Sequence, residues 1–582
     1  MHINFRVYDY TDRLKEVLGQ NGKVKDISLE FKEIVGNAAR IKFVGRLLHE
    51  YELTIDGQKL KLQKSNVIAE ACRTKGNQLY AQKQFLDALE AYNRSLCFAE
   101  AGSKTIGLAY ANRSAVFFEL KLYKICLKNI CLARDNDYPK DTWEKLEKRR
   151  VLCAEAIATE SSEGEQEEPI GIEFLRMNLK PSEKLPFIAD CLEMKCDNKF
   201  GRYITTKELL KPGDVVAVEE PFCKLLLSSF RYKYCANCLR DNFLDLVACE
   251  DCTSAMFCSD ECKTIGIQKF HRFECAIIDK LNSVDTKILR IAVRTFFEAL
   301  HVCNGSLTEL KALIEENRDS GVTIFDFDGP LTPKNVLQAV DALETNEESR
   351  TNADLFQRCG TVSIICEMFL EHTALGSFLE EQEDRNFFYC FVMKQTQLAA
   401  CNYHGLYNGV VKKYEVESNL QYGSGSFPFC SLMNHSCAPN LVRVTSECKN
   451  YVVINRPIKP GEQLFDNYGF HHCLEDLRDR QSTLLSQYMF KCECEACTKD
   501  FKLFPYLQTY DKNVNKFLSD DLKKLATLDV QRAKDKFLPY CDYITKADKN
   551  YPCWEVSSIQ ECLNRCFTIF TMSQFKLNLC SQ

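Results

Sequence analysis

Eight cysteine and histidine residues with the spacing of metal ligands stand close together in this chain. They form the patterns C-x2-C, C-x2-C, C-x3-C and H-x3-C, and they are Cys235, Cys238, Cys249, Cys252, Cys258, Cys262, His271 and Cys275. Zinc takes four sulfur or nitrogen ligands in a tetrahedron, and a two-residue gap lets both thiolates of one turn reach the same ion. Buried free cysteines are the alternative interpretation. Four correctly spaced pairs in one short stretch instead predict two zinc ions, and spacing does not decide whether the pairing is sequential or interleaved.

A second group of chemically active residues lies at 431–440, where the sequence is SLMNHSCAPN. The adjacent histidine and cysteine could suggest a nucleophile pair, but sequence neighbours rarely converge as a catalytic dyad, and no orienting partner is evident. A Lys-Pro-Gly-Glu turn at 459–462 leads to Asp466-Asn467-Tyr468-Gly469. Three clustered cysteines follow, and such a cluster needs one more ligand to close a tetrahedral zinc site. They are Cys492, Cys494 and Cys497.

Composition limits the class of protein. A chain of 582 residues with 45% hydrophobic and 27% charged residues predicts several globular domains. The net charge of −6 argues against broad electrostatic binding to nucleic acid. The first residues carry charge too early for a signal peptide, and no apolar run approaches the ~20 residues that span a membrane. The 32 cysteines therefore indicate a reducing compartment, so we expect the cytoplasm and the nucleus.

The elements that must position these residues begin with a helical region. Small and aromatic residues around Gly76 and Tyr92 have tetratricopeptide spacing, and a second unit around Ser114 follows at an offset of 38 residues. The longer offset predicts an extended connection near 101–105, and a last helix at 141–157 would cap the stack. An ordinary helical bundle is the alternative. Such helix pairs offer a concave surface suited to peptide binding.

Within that groove, Arg73, Asn77, Asn112 and Lys148 resemble a carboxylate clamp that grips chaperone C-termini, and a solvated polar face is the alternative. Glu144 occupies the remaining clamp position, where its charge would repel a carboxylate.

Taken together, the motifs resemble the SMYD family of SET and MYND domain-containing lysine methyltransferases. The string Asn-His-Ser-Cys-x-Pro-Asn is similar to the SET core motif, and the eight-ligand cassette is similar to a MYND finger inserted in a split SET domain. The helical repeats make the chain similar to one subfamily. The implied fold is a multidomain α+β protein with α-helical tetratricopeptide repeats, a β-rich SET core split by the MYND finger and a helical insertion, and a helical C-terminal tail.

The resemblance and the composition shifts together predict nine regions. They are an N-terminal leader (1–66), tetratricopeptide repeats (67–157), an acidic linker (158–168), the first part of SET (169–234), the MYND finger (235–275), a helical insertion (276–395), the SET catalytic core (396–475), the post-SET cysteines (476–500) and a helical C-terminal region (501–582).

The resemblance also implies a pocket for S-adenosyl-L-methionine. Residues that match the family's cofactor-binding positions are Phe200, Gly201, Arg202, Asn402, Asn434, His435, Tyr468 and Phe490. Asparagine side chains can satisfy the amino acid end of such a cofactor, and an aromatic face can stack on its purine. One position departs from the family, because Tyr203 stands where many SET enzymes have a second glycine. A glycine allows close backbone approach, so Tyr203 puts cofactor binding in question.

Tyr468 matches the family's catalytic tyrosine. The implied function is methyl transfer from S-adenosyl-L-methionine to a lysine of histone or non-histone proteins. The alternative is a weak or inactive adaptor that recruits chaperone or transcriptional repressor complexes through the repeats and the finger. Between residues 231 and 275 six basic residues face seven acidic ones, so we expect protein contacts there rather than direct nucleic acid binding. We expect no membrane partner.

Three zinc ions are implied in total. The family's interleaved pairing gives one ion to Cys235, Cys238, Cys258 and Cys262 and the other to Cys249, Cys252, His271 and Cys275. Cys437 would join Cys492, Cys494 and Cys497 at the third ion, beside the cofactor and the lysine channel.

Overall fold

The computed structural model describes residues 6–55, 60–159, 171–284, 287–412 and 415–572, and it gives the backbone alone at 243, 408–412 and 415–419. Residues 160–168 of the predicted acidic linker lie outside this part of the chain. Among the described helices, none combines the length and the apolar character needed to cross a membrane.

Helices make up most of the described secondary structure. In chain order they are α1 (Val7–Gln20), α2 (Val24–Glu33), α3 (Asn37–Glu50), α4 (Asn66–Ala81), α5 (Phe85–Phe98), α6 (Lys104–Glu119), α7 (Tyr123–Asp135), α8 (Trp143–Thr159), α9 (Asp260–Gly266), α10 (Arg272–Glu274), α11 (Ile278–Ser283), α12 (Lys287–Val302), α13 (Leu307–Glu316), α14 (Pro333–Asp341), α15 (Asn352–His372), α16 (Leu375–Phe378), α17 (Gln382–Asn402), α18 (Leu477–Tyr488), α19 (Glu495–Thr498), α20 (Val514–Ala526), α21 (Val530–Ala547) and α22 (Trp554–Phe570).

The strands are short apart from one hairpin. They are β1 (Leu192–Asp197), β2 (Gly201–Thr206), β3 (Val215–Glu219), β4 (Lys224–Leu226), β5 (Val247–Ala248), β6 (Met256–Phe257), β7 (Tyr403–Lys412), β8 (Glu415–Ser426), β9 (Asn434–His435), β10 (Leu441–Ser446), β11 (Lys449–Ile454) and β12 (Phe465–Asp466). Apolar residues in the sequence predict strands at 215–218, 441–444 and 451–454 and helices at 288–300 and 307–314. The structure confirms these five elements and the capping helix predicted at 141–157.

The chain forms two compact units. The first unit contains the described residues within Met1–Glu165, Leu225–His301 and Thr351–Thr396, and the second contains those within Gln166–Lys224, Val302–Arg350 and Gln397–Gln582. The boundaries of the nine predicted regions remain predictions.

In the first unit, two sets of helices pack separately. Helices α1 and α3 lie against α15, and α4 to α8 pack in sequence, each against the next. The connection between α5 and α6 runs from residue 99 to 103, close to the predicted extension. Gly76 allows α4 to approach α5 closely, because a Cβ at this position would lie 2.4 Å from the buried Tyr92 ring. The spacing of a small and an aromatic residue therefore reflects a real packing contact.

The eight-ligand cassette, residues 235–275, is fixed to the paired helices α5, α6 and α7 by a buried polar network. Arg113 has no exposed surface and forms an ion pair with Asp245. It also donates to the Leu246 carbonyl at 2.6 Å and to Asn93 Oδ1 at 3.0 Å. Although burial opposes ionisation, Arg113 and Lys128 lower the pKa of Asp245. Buried charges persist only when they are paired and hydrogen-bonded, so this network specifies how the cassette joins the helices.

In the second unit, small sheets surround a crossing of the chain. Strand β11 pairs antiparallel with both β10 and β3, so the sheet order is β10-β11-β3. Strands β1 and β2 form a hairpin, and so do β7 and β8. Strand β9 pairs parallel with β12, with Asn434 opposite Phe465 and His435 opposite Asp466. This parallel contact brings the 431–440 motif beside the turn that carries Tyr468.

Helices α20, α21 and α22 close the second unit and confirm the predicted helical tail. Their apolar faces share one core with the three-stranded sheet, including Phe537, Phe567, Val215 and Val453. Burying such side chains stabilises the fold by roughly 1.5–3 kcal/mol each. The sheet that leads into the candidate site therefore rests on a large apolar core.

Candidate active site and metal-binding clusters

The twelve predicted metal ligands form three groups. The groups are Cys235, Cys238, Cys258 and Cys262; Cys249, Cys252, His271 and Cys275; and Cys437, Cys492, Cys494 and Cys497, and in each the ligand atoms all lie within 4.8 Å of one another. The cassette ligands are therefore interleaved rather than sequential. All 31 described cysteines are free thiols, so no disulfide competes for these sulfur atoms in this part of the chain.

The distances within the groups fit a tetrahedral zinc ion. A Zn–S bond of about 2.3 Å places two sulfur ligands about 3.8 Å apart. The Sγ–Sγ distances are 3.4 Å for Cys235–Cys262, 3.6 Å for Cys238–Cys258 and 4.0 Å for Cys249–Cys275. In the second group the His271 Nε2 atom lies 3.7 Å from Cys252 Sγ. Each group could therefore hold one zinc ion through sulfur or ring nitrogen.

Neighbouring side chains support the cassette ligands. The Asn237 amide donates to Cys262 Sγ at 3.2 Å, and Lys64 donates to the Cys249 carbonyl at 3.1 Å. Partners of this kind hold ligands in position and tune a metal site.

The third group brings Cys437 of the 431–440 motif to the cysteines near 495. Cys437 Sγ lies 3.6 Å from Cys497 Sγ, and the Cys437 amide donates to Cys494 Sγ at 3.4 Å. The Gln481 side chain brackets Cys492, donating to its carbonyl at 2.6 Å and accepting from its amide at 3.1 Å. The ligand set expected from the resemblance is thus assembled by these contacts.

A further group, His471, His472 and Cys473, has the residue types of a metal site but not the geometry. The two His472 nitrogens lie 3.2 Å from the Lys502 carbonyl and 3.0 Å from the Tyr551 hydroxyl. Cys473 Sγ lies 3.8 Å from one ring nitrogen and 3.6 Å from the other, so it sits over the ring face rather than along a lone pair. A metal ion bound in the ring plane could not reach that sulfur.

A cavity of about 610 Å³ lies beside the β9–β12 crossing. Its lining residues are Lys199, Phe200, Asn434, His435, Phe465, Tyr468, Phe490, Lys491, Cys492, Glu493, Cys494 and Glu495. Five of the eight predicted cofactor residues are among them, together with two cysteines of the third metal group. A cavity of this size with aromatic walls and a few polar groups suits a nucleoside-sized ligand.

The Phe200 loop is held at the cavity by its own turn and by Asn434. The Asp197 carboxylate accepts from the Lys199 amide at 2.8 Å and from the Phe200 amide at 2.7 Å. Gly201 has φ +63°, a left-handed conformation that glycine adopts without strain. The Asn434 amide donates to the Phe200 carbonyl at 3.0 Å. The asparagine therefore joins the 431–440 motif to the loop directly.

Tyr468 is half-buried in the cavity wall, and both ends of the residue are hydrogen-bonded. Its hydroxyl donates to the Met433 carbonyl at 2.9 Å, and its amide donates to His435 Nδ1 at 3.0 Å. Burial, and then the Asp466 charge, raise the pKa of the Tyr468 hydroxyl. Burial lowers the pKa of His435 to about 4, so the neutral ring can accept the Tyr468 amide proton. At neutral pH the site thus presents a protonated phenol and an uncharged imidazole.

Three of the predicted cofactor residues do not line this cavity. Gly201 supplies only its backbone turn. The Arg202 guanidinium donates to the carbonyls of Gly321 and Ala342, each at 3.1 Å. The Asn402 amide donates to the Glu344 carbonyl at 2.8 Å and to the Leu398 carbonyl at 3.1 Å. Both side chains join neighbouring segments of the second unit in this structure, and their cofactor roles remain predictions.

Tyr203 does not enter the cavity. It lies within β2 opposite Lys195, and its ring packs edge-on against Phe200 at a centroid distance of 5.8 Å. The hairpin therefore accommodates the Tyr203 side chain outside the cavity lining.

Several residues of the site were missed from the sequence. Tyr488 packs its ring 4.9 Å from the Tyr468 ring, and its hydroxyl donates to the Tyr468 carbonyl at 3.4 Å. Residues that complete the lining are Lys199, Phe465, Lys491, Glu493 and Glu495. The signal available for Tyr488 was its position two residues before Phe490, at the end of an otherwise polar helix.

A group of buried charges lies behind the wall that carries Tyr468. Arg443 Nε donates to Asp466 Oδ2 at 2.5 Å. Glu219 accepts from the amides of Phe429 and Cys430 at 2.7 and 2.9 Å, and burial raises its pKa to about 7. No sequence motif indicated this group.

Comparison with known proteins agrees with this geometry. A family model of the SET domain matches residues 201–469. The chain is 22% identical over 519 residues to "Protein-lysine N-methyltransferase SMYD4" of Danio rerio, covering 76% of this chain and 67% of the relative. The protein of the same name from Homo sapiens is 22% identical over 536 residues, covering 73% and 66%. "Histone-lysine N-methyltransferase ASHR1" of Arabidopsis thaliana is 21% identical over 313 residues, covering 54% and 56%.

The chain spans about two thirds of the length of the SMYD4 relatives that it matches. The SET match contains the crossing of β9 and β12 and ends just after Tyr468, while the alignments to the relatives extend well beyond it. Together these observations show that the chain carries a SET domain and is similar to the SMYD4 proteins over about three quarters of its length.

Proposed function

We propose that this protein is an S-adenosyl-L-methionine-dependent protein-lysine N-methyltransferase, acting on histone or non-histone proteins. The observation that carries the proposal is the Tyr468 hydroxyl in the wall of the 610 Å³ cavity, on the crossing that also presents Asn434 and His435. The relatives named above are protein-lysine or histone-lysine methyltransferases, which agrees with this chemistry.

The cavity residues fit the cofactor. Phe200 and Phe490 offer aromatic faces for a purine, while Asn434 and His435 lie on the strand beneath. When bound, S-adenosyl-L-methionine supplies a methyl group on a positively charged sulfur that an amine can attack. The chain's own contribution is to bind this group, exclude water and present an aligned lysine.

The residues around Tyr468 favour a neutral lysine. The Tyr468 and Tyr488 rings, 4.9 Å apart, offer an apolar lining for an alkyl chain. An amine that enters such a site has its charged form destabilised, so it gives up its proton more readily. The protonated Tyr468 hydroxyl and the Met433 carbonyl, 2.9 Å apart, offer polar atoms that can orient the amine.

We propose three resident zinc ions, one in each ligand group, with the third group bracing the cavity wall through Cys492 and Cys494. In this proposal α4 to α8 are tetratricopeptide repeats and residues 235–275 are a MYND finger, which together bind protein partners. Sequential helix packing and the close approach at Gly76 support the repeat assignment. The chain is proposed to work in the cytoplasm and the nucleus, without direct binding of nucleic acid or membrane.

Chaperone or corepressor complexes are the proposed partners of the helical groove. The Asn112 amide donates to Asn77 Oδ1 at 2.7 Å, so two of the clamp residues lie together. Arg73 and Lys148 instead form ion pairs with Glu70 and Glu144, and Lys148 lies 2.7 Å from its partner. A bound carboxylate would have to displace these local partners. The contact between Asn77 and Asn112 supports the adaptor as a second function beside the enzyme.

The test uses the zinc-loaded full-length chain. Calorimetric titration with S-adenosyl-L-methionine should show binding, and a tritiated methyl group should pass to lysine on a protein array. Tyr468→Phe should abolish transfer and leave cofactor affinity within about threefold, because the hydroxyl orients the amine. Tyr506→Phe, at a 75% exposed tyrosine, is the matched control and should behave as wild type. A folded, zinc-loaded sample that binds no cofactor would overturn the enzyme and leave the adaptor.

A further inference from the structure

An ion pair between Arg443 and Asp466 lies behind the part of the cavity wall that carries Tyr468. Asp466 belongs to β12 and is almost fully buried, two residues before Tyr468. Its Oδ2 atom accepts from Arg443 Nε at 2.5 Å, and its Oδ1 atom accepts from the Asn467 amide at 2.7 Å. Both carboxylate oxygens are therefore engaged.

The backbone places this pair next to the cavity without exposing it there. Phe465 and Tyr468 line the cavity and Asp466, between them, does not, so the buried Asp466 carboxylate lies behind the lining residues. Asp466 stands opposite His435 in the parallel pairing, and the Asp466 carbonyl accepts from the Ser436 amide at 2.8 Å. The Asp466 carboxylate therefore lies next to the cavity lining without being part of it.

The charges of the pair reach the cavity side of the wall. Burial is the main cause of the raised pKa of Tyr468, the Asp466 charge raises it further, and the Arg443 charge lowers it. Burial raises the pKa of Glu219 and lowers that of His404; the Arg443 charge partly offsets the first shift and adds to the second. Although burial opposes its own charge, Asp466 and the Cys430 thiol raise the pKa of Arg443, so the guanidinium remains a cation.

We propose that Arg443 and Asp466 are a pair of positioning residues whose opposite charges offset each other. The wall of the cavity then neither attracts nor repels the positively charged sulfur of the cofactor strongly. This inference rests on the proposed function. During methyl transfer the amine lone pair forms the new N–C bond while the S–C bond breaks, and its electron pair stays on sulfur. Positive charge therefore passes from sulfur to nitrogen, and the methylated ammonium later releases its proton to water. Without Arg443, the negative charge of Asp466 would stabilise the positive sulfur before the reaction and so oppose the transfer of charge to nitrogen.

The pair makes opposite predictions for its two members. Without Arg443, the Asp466 charge favours the cationic cofactor over its neutral thioether product, S-adenosylhomocysteine. Without Asp466, the Arg443 charge disfavours the cationic cofactor. Charges separated by one layer of wall interact appreciably in a partly buried site, so each change should alter the ratio of the two dissociation constants by about threefold to tenfold.

The experiment measures both dissociation constants by calorimetry on the zinc-loaded full-length chain at pH 8, with wild type, Arg443→Gln, Asp466→Asn and the double variant. We expect the product-to-cofactor ratio of dissociation constants to rise in Arg443→Gln, to fall in Asp466→Asn and to return toward wild type in the double variant. The matched control is Arg456→Gln, which breaks another ion pair of the second unit, at 2.8 Å to Asp548, and should leave the ratio unchanged.

A purely structural role predicts a different result, in which both variants weaken the two ligands by the same factor. That outcome would overturn the inference. If Arg443→Gln does not fold, as judged by its thermal melt, Asp466→Asn alone still decides, because an unchanged or increased ratio contradicts the proposal. If the wild-type protein binds neither ligand, both the proposed function and this inference are wrong. If the wild-type protein binds both ligands and the variants leave the ratio of dissociation constants unchanged, only the inference is wrong.

Discussion

The two cysteine-rich regions of this chain use the same ligand chemistry for different tasks. The cassette holds its eight ligands within 41 residues and is joined to α5, α6 and α7 through the buried Arg113–Asp245 network. The third group draws Cys437 and three later cysteines together and contributes Cys492 and Cys494 to the cavity wall. Metal in the cassette would therefore organise a module, whereas metal in the third group would shape the cavity where a ligand binds.

Removing one ligand from each region tests this difference most directly. Cys494→Ser should lose one of three zinc equivalents and weaken cofactor binding at least about tenfold, because the cavity wall loses its metal support. Cys258→Ser should lose zinc and lower the melting temperature, yet keep cofactor affinity within about threefold. Metal analysis and calorimetry provide the measurements, with the exposed Cys131→Ser as control. Equal losses of cofactor affinity in both variants would break the comparison.

The joint of the cassette should respond to loss of its buried cation. Arg113→Met leaves the Asp245 carboxylate buried without its main partner, so we expect the free energy of unfolding to fall by about 3–5 kcal/mol. Urea denaturation followed by circular dichroism measures this change. Arg150→Met removes an exposed arginine that pairs with Glu147 at 2.6 Å, and it should cost less than about 1 kcal/mol. Similar losses in the two variants would show that the network does not specify the joint.

The unit with the cavity should carry a pH dependence through Glu219. Burial raises the pKa of this carboxyl from 4.5 to about 7, so the folded state binds more protons than the unfolded state between these values. Stability should therefore fall as pH rises through this window, by on the order of 2–3 kcal/mol in total. Urea midpoints at pH 5 and pH 8 measure the change. Glu219→Gln should remove this part of the slope, and Glu220→Gln, at an exposed neighbour, should keep it. An unchanged slope in Glu219→Gln contradicts the assignment.

The smallest expected effect tests helix packing in the unit with the cassette. Gly76→Ala would place a methyl group 2.4 Å from the Tyr92 ring, which is buried and hydrogen-bonded to Asn77 at 2.9 Å. We expect destabilisation of about 1–3 kcal/mol, measured by thermal unfolding. Gly19→Ala, where the new methyl group meets nothing within 4 Å, should be neutral or slightly stabilising. A neutral Gly76→Ala would mean that α4 and α5 can move apart freely.

Local patterns predicted the parts of this molecule whose physics is local. The C-x2-C pairs identified the cassette ligands, and short apolar runs identified β3, β10 and β11. The helical tail followed from its periodicity. The long β7–β8 hairpin was missed, and so was the packing of α1 and α3 against α15, because both depend on distant or weakly patterned partners.

The site residues that belong to sequence motifs could be predicted. Contacts between residues that are far apart in the chain could not. Asn434, His435 and Tyr468 were found through their motif, and the structure brings them to one cavity. Arg202 and Asn402 were assigned to the cofactor, but their side chains bind backbone carbonyls elsewhere in the second unit. The Arg443–Asp466 pair joins residues on different strands. Asp466 stands in the segment that carries Tyr468, but no spacing in the sequence links it to Arg443.

The interleaved ligands of the cassette have a consequence for the chain as it leaves the ribosome. The first ion cannot be enclosed until Cys262 has emerged, and by then Cys249 and Cys252 of the other site are already exposed as free thiols. Cys275 is synthesised shortly after Cys262. Both metal sites are therefore completed almost together, and until then several reactive thiols are exposed on the nascent chain. The supply of zinc during translation should therefore govern the yield of folded protein.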